Sequence, residues 1–246
     1  MSRDVTELPP VEADERVHYG KHPSQFFDVF RAKEKLRGIA VMIHGGFWRS
    51  RYDLMHASHV CAALAGEGVS VANLEYRRVG EKGGGWPGTL EDVRAAVGAA
   101  FDRLGELPVV IGHSAGGHLA LRLAGEFLMM KGVVALAPVA DLQLAYELDL
   151  SNGAVREFLG DDPKDGPILI HHACASRHSS RLRRIIVHGT ADDVVPIQLS
   201  RNYISRRKAD EGVVELVEIA GAGHMDLVDP ESSAWPVVRD CVMKLL

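Results

Sequence analysis

The stretch VVIGHSAGGHLAL, Val109 to Leu121, decides how the rest of the chain reads. Val109, Val110 and Ile111 make a short apolar run suited to a buried strand, and residues 115–128 carry helical spacing. Between them stands Gly112-His113-Ser114-Ala115-Gly116, a G-x-S-x-G pentapeptide. At a sharp strand-to-helix turn a serine is lifted above the sheet edge, and its flanks must be small because a larger Cβ would collide with nearby backbone. The Ala115 N–H then opens the helix beside the hydroxyl. Alone, the pentapeptide also fits a helix cap. A nucleophile needs a base, an acid and an oxyanion site from elsewhere in the chain.

Working outward, continuous apolar runs recur at residues 39–43, 132–137 and 184–188, with further strand patterns at 69–74 and 213–219 and two shorter ones at 16–19 and 26–31. Helical patterns separate them at 56–67, 89–104, 115–128, 197–209 and 232–246, and Thr89 reads as the cap of the second. Strands alternating with helices predict an α/β fold, a mostly parallel central sheet of about eight strands with helices on both faces. Residues 139–181 break the alternation, with short helical patches at 142–148 and 154–159 and a Pro-bearing loop at 161–167, and read as a short lid insertion in a single domain spanning 1–246. Residues 1–15 are polar and contain Pro9-Pro10, which predicts an extended arm rather than a packed element.

Composition narrows the function classes. A 246-residue chain with 46% hydrophobic and 25% charged residues suits one globular α/β domain. A net charge of −5 gives no electrostatic basis for binding nucleic acid or an anionic membrane. No apolar run reaches the length of a membrane span, and the N-terminus lacks the apolar core of a secretory signal. Cys61, Cys174 and Cys241 are widely spaced, which fits neither a disulfide framework nor a zinc knuckle and predicts a cytoplasmic location. The H-x-x-H at His56–His59 lacks the glutamate of H-E-x-x-H, so no metal is expected, and no cofactor. His56, His59, His171, His172 and His178 are assigned to surface or core. The oligomeric state stays open, a homodimer included.

In a parallel sheet, ligands collect at the carboxyl ends of the strands. Four predicted strands end in informative sequence: His44-Gly45-Gly46-Phe47-Trp48, GHSAGG, His188-Gly189-Thr190-Ala191-Asp192-Asp193, and Gly221-Ala222-Gly223-His224-Met225-Asp226. A serine hydroxyl becomes a useful nucleophile when an imidazole takes its proton, and the imidazole needs a carboxylate to hold its tautomer. Ser114, Asp192 and His224 supply those groups, in the chain order Ser, Asp, His. Gly45-Gly46 after a strand suits an oxyanion site, with the N–H groups of Gly46 and Phe47 joining that of Ala115.

HGGFW, EYRR, WPGTLEDV, GHSAGGHLAL, HGTADDVVP and GAGHMDLVDP together resemble the α/β-hydrolase superfamily, across roughly residues 19–235. Within it the chain is similar to bacterial esterase-like proteins related to serine-type arylformamidase (kynurenine formamidase), whose mark is H-G-G-x-W. The resemblance implies Ser114 as nucleophile, His224 as base, and Asp192 as acid because H-G-x-x-D from His188 selects the first aspartate. Asp193 stands in reserve. It implies oxyanion donors at Gly46, Phe47 and Ala115. The expected activity is that of a serine hydrolase cleaving small carboxylic esters, or activated amides such as N-formyl arylamines, through an acyl-enzyme. Residues 139–181 and 80–88 are expected to shape the pockets, with Trp48, Tyr76 and Trp86 at the site mouth. The rivals are a prolyl-oligopeptidase-like peptidase, which shares GHSAGG and HGTADD but normally carries a gating domain, and a non-catalytic ligand receptor, a class that tends to lack the histidine.

Overall fold

The apolar runs become the strands β1 (Glu15–His18), β2 (Phe26–Phe30), β3 (Gly38–Ile43), β4 (Val69–Leu74), β5 (Val109–His113), β6 (Gly132–Leu136), β7 (Arg183–Gly189) and β8 (Val214–Ile219) in a computed structural model that describes residues 5–160, 167–175, 178, 180–206 and 212–246. They form one sheet in the order β1-β2-β4-β3-β5-β6-β7-β8. β2 runs antiparallel to β1 and β4, and every pairing from β4 through β8 is parallel. The expected sheet of about eight mostly parallel strands is the one observed.

The period-two alternation of a strand explains why the core falls into two layers. Val41 and Ile43 of β3 and Val110 of β5 face one side, where α2 (Gly88–Leu104) and α3 (Ala115–Leu123) deliver Leu90, Val93, Ala96, Leu119 and Leu123. Ala40, Met42, Val109 and Ile111 face the other, against Val60, Cys61 and Leu64 of α1 (Ser58–Gly66) and Val238 and Val242 of α8 (Trp235–Met243). Helices on both faces leave the carboxyl edge of the sheet as the open surface. α7 (Gln198–Ser205) sends Leu199 and Tyr203 into the first layer.

Several local expectations are corrected. α3 ends at Leu123 rather than 128, because the chain tightens into turns in which the Gly125 and Glu126 N–H groups bond to Arg122 O and Leu123 O. Thr89 lies inside α2 and does not cap it; its hydroxyl donates to Arg77 O (2.6 Å) and accepts from the Gly85 N–H (3.0 Å), bracing the preceding loop. The N-terminal segment is packed. Val5–Glu7 forms a 3-10 turn whose Val5 is fully buried, and the Val11 N–H donates to Ser58 Oγ at 2.9 Å. A single anchoring valine in polar surroundings leaves no periodic signal.

Between β6 and β7 run α4 (Leu142–Glu147), α5 (Ala154–Leu159) and α6 (Pro167–Ala173). α4 and α5 match the expected helical patches, and α6 falls where no element was expected. Of the loop expected at 161–167, residues 161–166 lie outside the described residues, as do 176, 177 and 179 and the end of the helix expected at 197–209.

Candidate active site

Ser114 follows β5 with φ 56 and ψ −116, a conformation that costs a non-glycine residue about 1–3 kcal/mol and persists only where the surroundings impose it. Its own backbone supplies the restraint. The Ser114 N–H donates to Leu136 O at 2.8 Å, and its carbonyl accepts from the N–H groups of His118 (3.1 Å) and Val139 (3.2 Å). Two residues on, a Cβ at Gly116 would run into the carbonyl oxygens of Ile43 and His44, so the elbow closes only around glycine.

Asp192 and His224 meet at the ends of β7 and β8. His224 Nδ1 lies 2.7 Å from Asp192 Oδ2, and with a carboxylate as acceptor the ring hydrogen belongs on Nδ1, leaving Nε2 with its lone pair. Asp192 Oδ1 accepts from the N–H groups of Val194 (2.9 Å) and Val195 (2.8 Å), and His188 Nε2 stands 3.3 Å from Oδ2. Burial works to raise the Asp192 pKa, but hydrogen bonds from His188, His224 and the Val195 N–H together hold it well below the usual carboxylate range. Asp193 is exposed and takes no part. His113 donates from Nε2 to His224 O at 3.1 Å and packs its ring 4.5 Å from that of His224. Among the described residues Ser114 Oγ and His224 Nε2 share no hydrogen bond, although both residues line the same cavity.

The loop after β3 is strained as well. Gly46 (φ 102), Phe47 (φ 52) and Trp48 (φ 59) take successive left-handed conformations, unusual for two bulky side chains. A Cβ on Gly46 would overlap the Tyr52 side chain. A buried network supports this loop from below. His44 contacts Gly45 O (Nδ1, 2.7 Å) and Glu75 Oε1 (Nε2, 2.9 Å), while Tyr76 stacks on His44 at 4.4 Å and donates its hydroxyl to His44 O at 2.9 Å. Arg49 ties the loop to the β6–β7 insertion through Glu157 (2.6 Å) and Ser151 Oγ (2.8 Å).

These pieces surround a cavity of about 250 Å³. Of the residues singled out in the sequence, Gly46, Phe47, Ser114 and His224 line it. Asp192 sits behind His224, and Ala115 is fully buried at the start of α3. Thr6, Tyr52, His56, His113, Val194 and Met225 also line it and were missed. His113 and Met225 adjoin Ser114 and His224 in sequence, which is the signal that could have found them; Thr6 has none. His56, expected in surface or core, belongs to this wall.

Trp48, Tyr76 and Trp86 do not line the cavity. Trp48 stacks on Phe158 at 4.4 Å, Tyr76 is buried against His44, and Trp86 packs on Phe158 with Arg122 over its ring. Trp48 and Tyr76 are fully consumed by this packing, and Trp86 is half-buried away from the cavity. No described residue of 139–181 or 80–88 lines it either. Among the described residues, no group of three or more His, Cys, Asp or Glu side chains is placed to hold a metal ion.

The histidines make acid stability testable. Burial, with His44 second, pushes the His56 pKa down to about 4, and burial pushes His118 down to about 4. His113 is likewise driven well below its ordinary value, first by burial and then by His224 and His56. Folded pKa values below the unfolded value near 6.5 mean that the unfolded chain binds protons first, so stability is complete above that pH and falls as pH drops toward 4. The loss is on the order of 3 kcal/mol for each of His56 and His118. Thermal melts at pH 7.5 and 4.5 should differ strongly, and His56→Gln should narrow the gap; equal melting temperatures would refute this account.

The eight-stranded sheet, the serine elbow and the paired Asp192 and His224 at the strand ends are those of the α/β-hydrolase fold. The chain belongs to the BD-FAE family, which matches residues 27–206. Esterase LipC of Mycobacterium tuberculosis is 27% identical over 252 residues, 87% of this chain and 60% of that protein. Kynurenine formamidase avaC of Aspergillus versicolor is 32% identical over 103 residues, 35% of each. The chain thus spans about three-fifths of the first relative's length and a third of the second's. Among solved structures, a truncated carbohydrate esterase from gut microbiota superposes with a TM-score of 0.80 at 20% identity, covering 97% of this chain and 99% of that one. Inhibited esterase B of Lactobacillus rhamnosis gives 0.77 at 18%, covering 96% and 87%.

Proposed function

We propose that the chain is a serine hydrolase of small carboxylic esters, or of activated amides such as N-formyl arylamines, with Ser114, His224 and Asp192 as its triad. The observation that carries the reading is the meeting of Ser114, the Asp192-held His224 and the backbone of Gly46 and Phe47 around one small cavity. Ser114 Oγ attacks the carbonyl carbon while its proton passes to His224 Nε2, and Asp192 stabilises the imidazolium. The developing oxyanion receives hydrogen bonds from the N–H groups of Ala115 and of Gly46 and Phe47. His224 then protonates the leaving alcohol or amine, and water, deprotonated by the same nitrogen, releases the acid and restores Ser114. For this His224 Nε2 must come within about 2.6–3.2 Å of Ser114 Oγ when substrate binds, a tightening common on forming the Michaelis complex.

A fluorophosphonate probe should label the wild type at Ser114 and leave Ser114→Ala unlabelled; labelling of both would remove the nucleophile assignment. Gly46→Ala should lower kcat by about 10²-fold or more, because the new Cβ meets Tyr52 and displaces the loop's N–H donors. An unchanged kcat would move the oxyanion site elsewhere.

The same reading treats residues 1–246 as a single hydrolase domain with 139–181 as its insertion. It gives the enzyme a small-molecule partner rather than nucleic acid, in keeping with a net charge of −5. It places the enzyme in the cytoplasm, supported by Cys61, Cys174 and Cys241, all buried and none of them disulfide-bonded. No helix among the described residues is long and apolar enough to cross a membrane.

A further inference from the structure

We propose that the N-terminal turn forms one rim of the substrate cavity and that Thr6 sets the size of the substrate that reaches Ser114, an inference resting on the hydrolase reading above. Every other described lining residue comes from the last residue of β5 or from the segments that follow β3, β5, β7 and β8, where a parallel sheet gathers its ligands. Thr6 alone arrives from before the first strand. It is held there. Val5 is fully buried in the second core layer beside the 3-10 turn Leu54–Ala57, the turn that also carries His56. On its other side the Val11 N–H bonds to Ser58 Oγ. Thr6 itself is exposed, which puts it at the opening rather than the floor.

The cavity gives this rim its consequence. At about 250 Å³ it falls below the roughly 300–1,000 Å³ of drug-sized ligand pockets. No Asp, Glu, Lys or Arg is among the described lining residues, so a charged substrate group would meet no opposing carboxylate, ammonium or guanidinium there and an uncharged one fits better. The substrate class is therefore a short, uncharged ester whose non-reacting end abuts Thr6.

Two series test this: p-nitrophenyl esters from acetyl to octanoyl, and acetates of alcohols of increasing size. Thr6→Trp should lower kcat/KM for the longest member of one series about tenfold or more relative to its smallest, and Thr6→Gly should raise it. Val5→Ala, which loosens the anchor, should shift the profile as Thr6→Gly does. A check independent of folding uses Thr6→Cys modified by benzyl methanethiosulfonate after purification, since the native cysteines are buried. The attached benzyl group should exclude the longest substrate while acetate turnover survives. Unchanged length profiles in both series, with Ser114 still labelled by fluorophosphonate, would overturn the role of Thr6. Failure of the wild type to label at all would overturn the hydrolase reading and this inference with it.

Discussion

Ser114→Ala is expected to lower kcat/KM toward p-nitrophenyl acetate by about 10⁴-fold or more, with a melting temperature no lower than that of the wild type. The two halves of the expectation have separate causes. Without Oγ no acyl-enzyme forms, and the residual rate comes only from binding and backbone polarisation of the carbonyl. Stability survives because the bonds that fix this residue run through its N–H and carbonyl, to Leu136, His118 and Val139, and alanine keeps all three. A variant that retained wild-type turnover would place the nucleophile at another residue. One that lost turnover together with its cooperative melt would show a folding defect instead, and a fluorescence or circular dichroism melt separates the cases.

Asp192→Asn should cost about 10⁴-fold in kcat while Asp193→Asn stays within a few-fold of wild type. The carboxylate oxygens accept from the Val194 and Val195 N–H groups and from His224 Nδ1, and its side chain is fully buried. An amide in that place would remove the charge that stabilises the imidazolium, and its NH₂ group facing Nδ1 would favour the wrong tautomer. Asp193 is exposed, so its charge is screened by water. Measuring kcat for both variants across pH decides the matter: if Asp193→Asn were the crippled one, the acid would move by one position.

The sequence made the sheet and the triad candidates legible because both rest on local signals. A strand buried on both faces must be apolar along its whole length, and the elbow must be small at Gly112 and Gly116. The order Ser114, Asp192, His224 at three strand ends then follows from topology. The cavity wall was far less legible, because its residues are chosen by where loops return rather than by what they contain. Trp48, Tyr76 and Trp86 sit in the motifs HGGFW, EYRR and WPGTLEDV, yet their rings pack on Phe158 and His44 instead. His56 looked like one of many uncommitted histidines until the Leu54–Ala57 turn brought it to the cavity. Thr6 could be found only once Val5 was seen to be buried.

The Arg49 contacts with Ser151 and Glu157, together with the stack of Trp48 on Phe158, give the segment between β6 and β7 a different relation to the reaction from that of a cover. It touches the backbone that would polarise the carbonyl, not the space the substrate fills. On the proposed hydrolase reading, a change in α5 would act through the rate of the chemical step, and a change at the N-terminal turn through the choice of substrate. On that reading rate and specificity would be adjusted at two separate places in the chain.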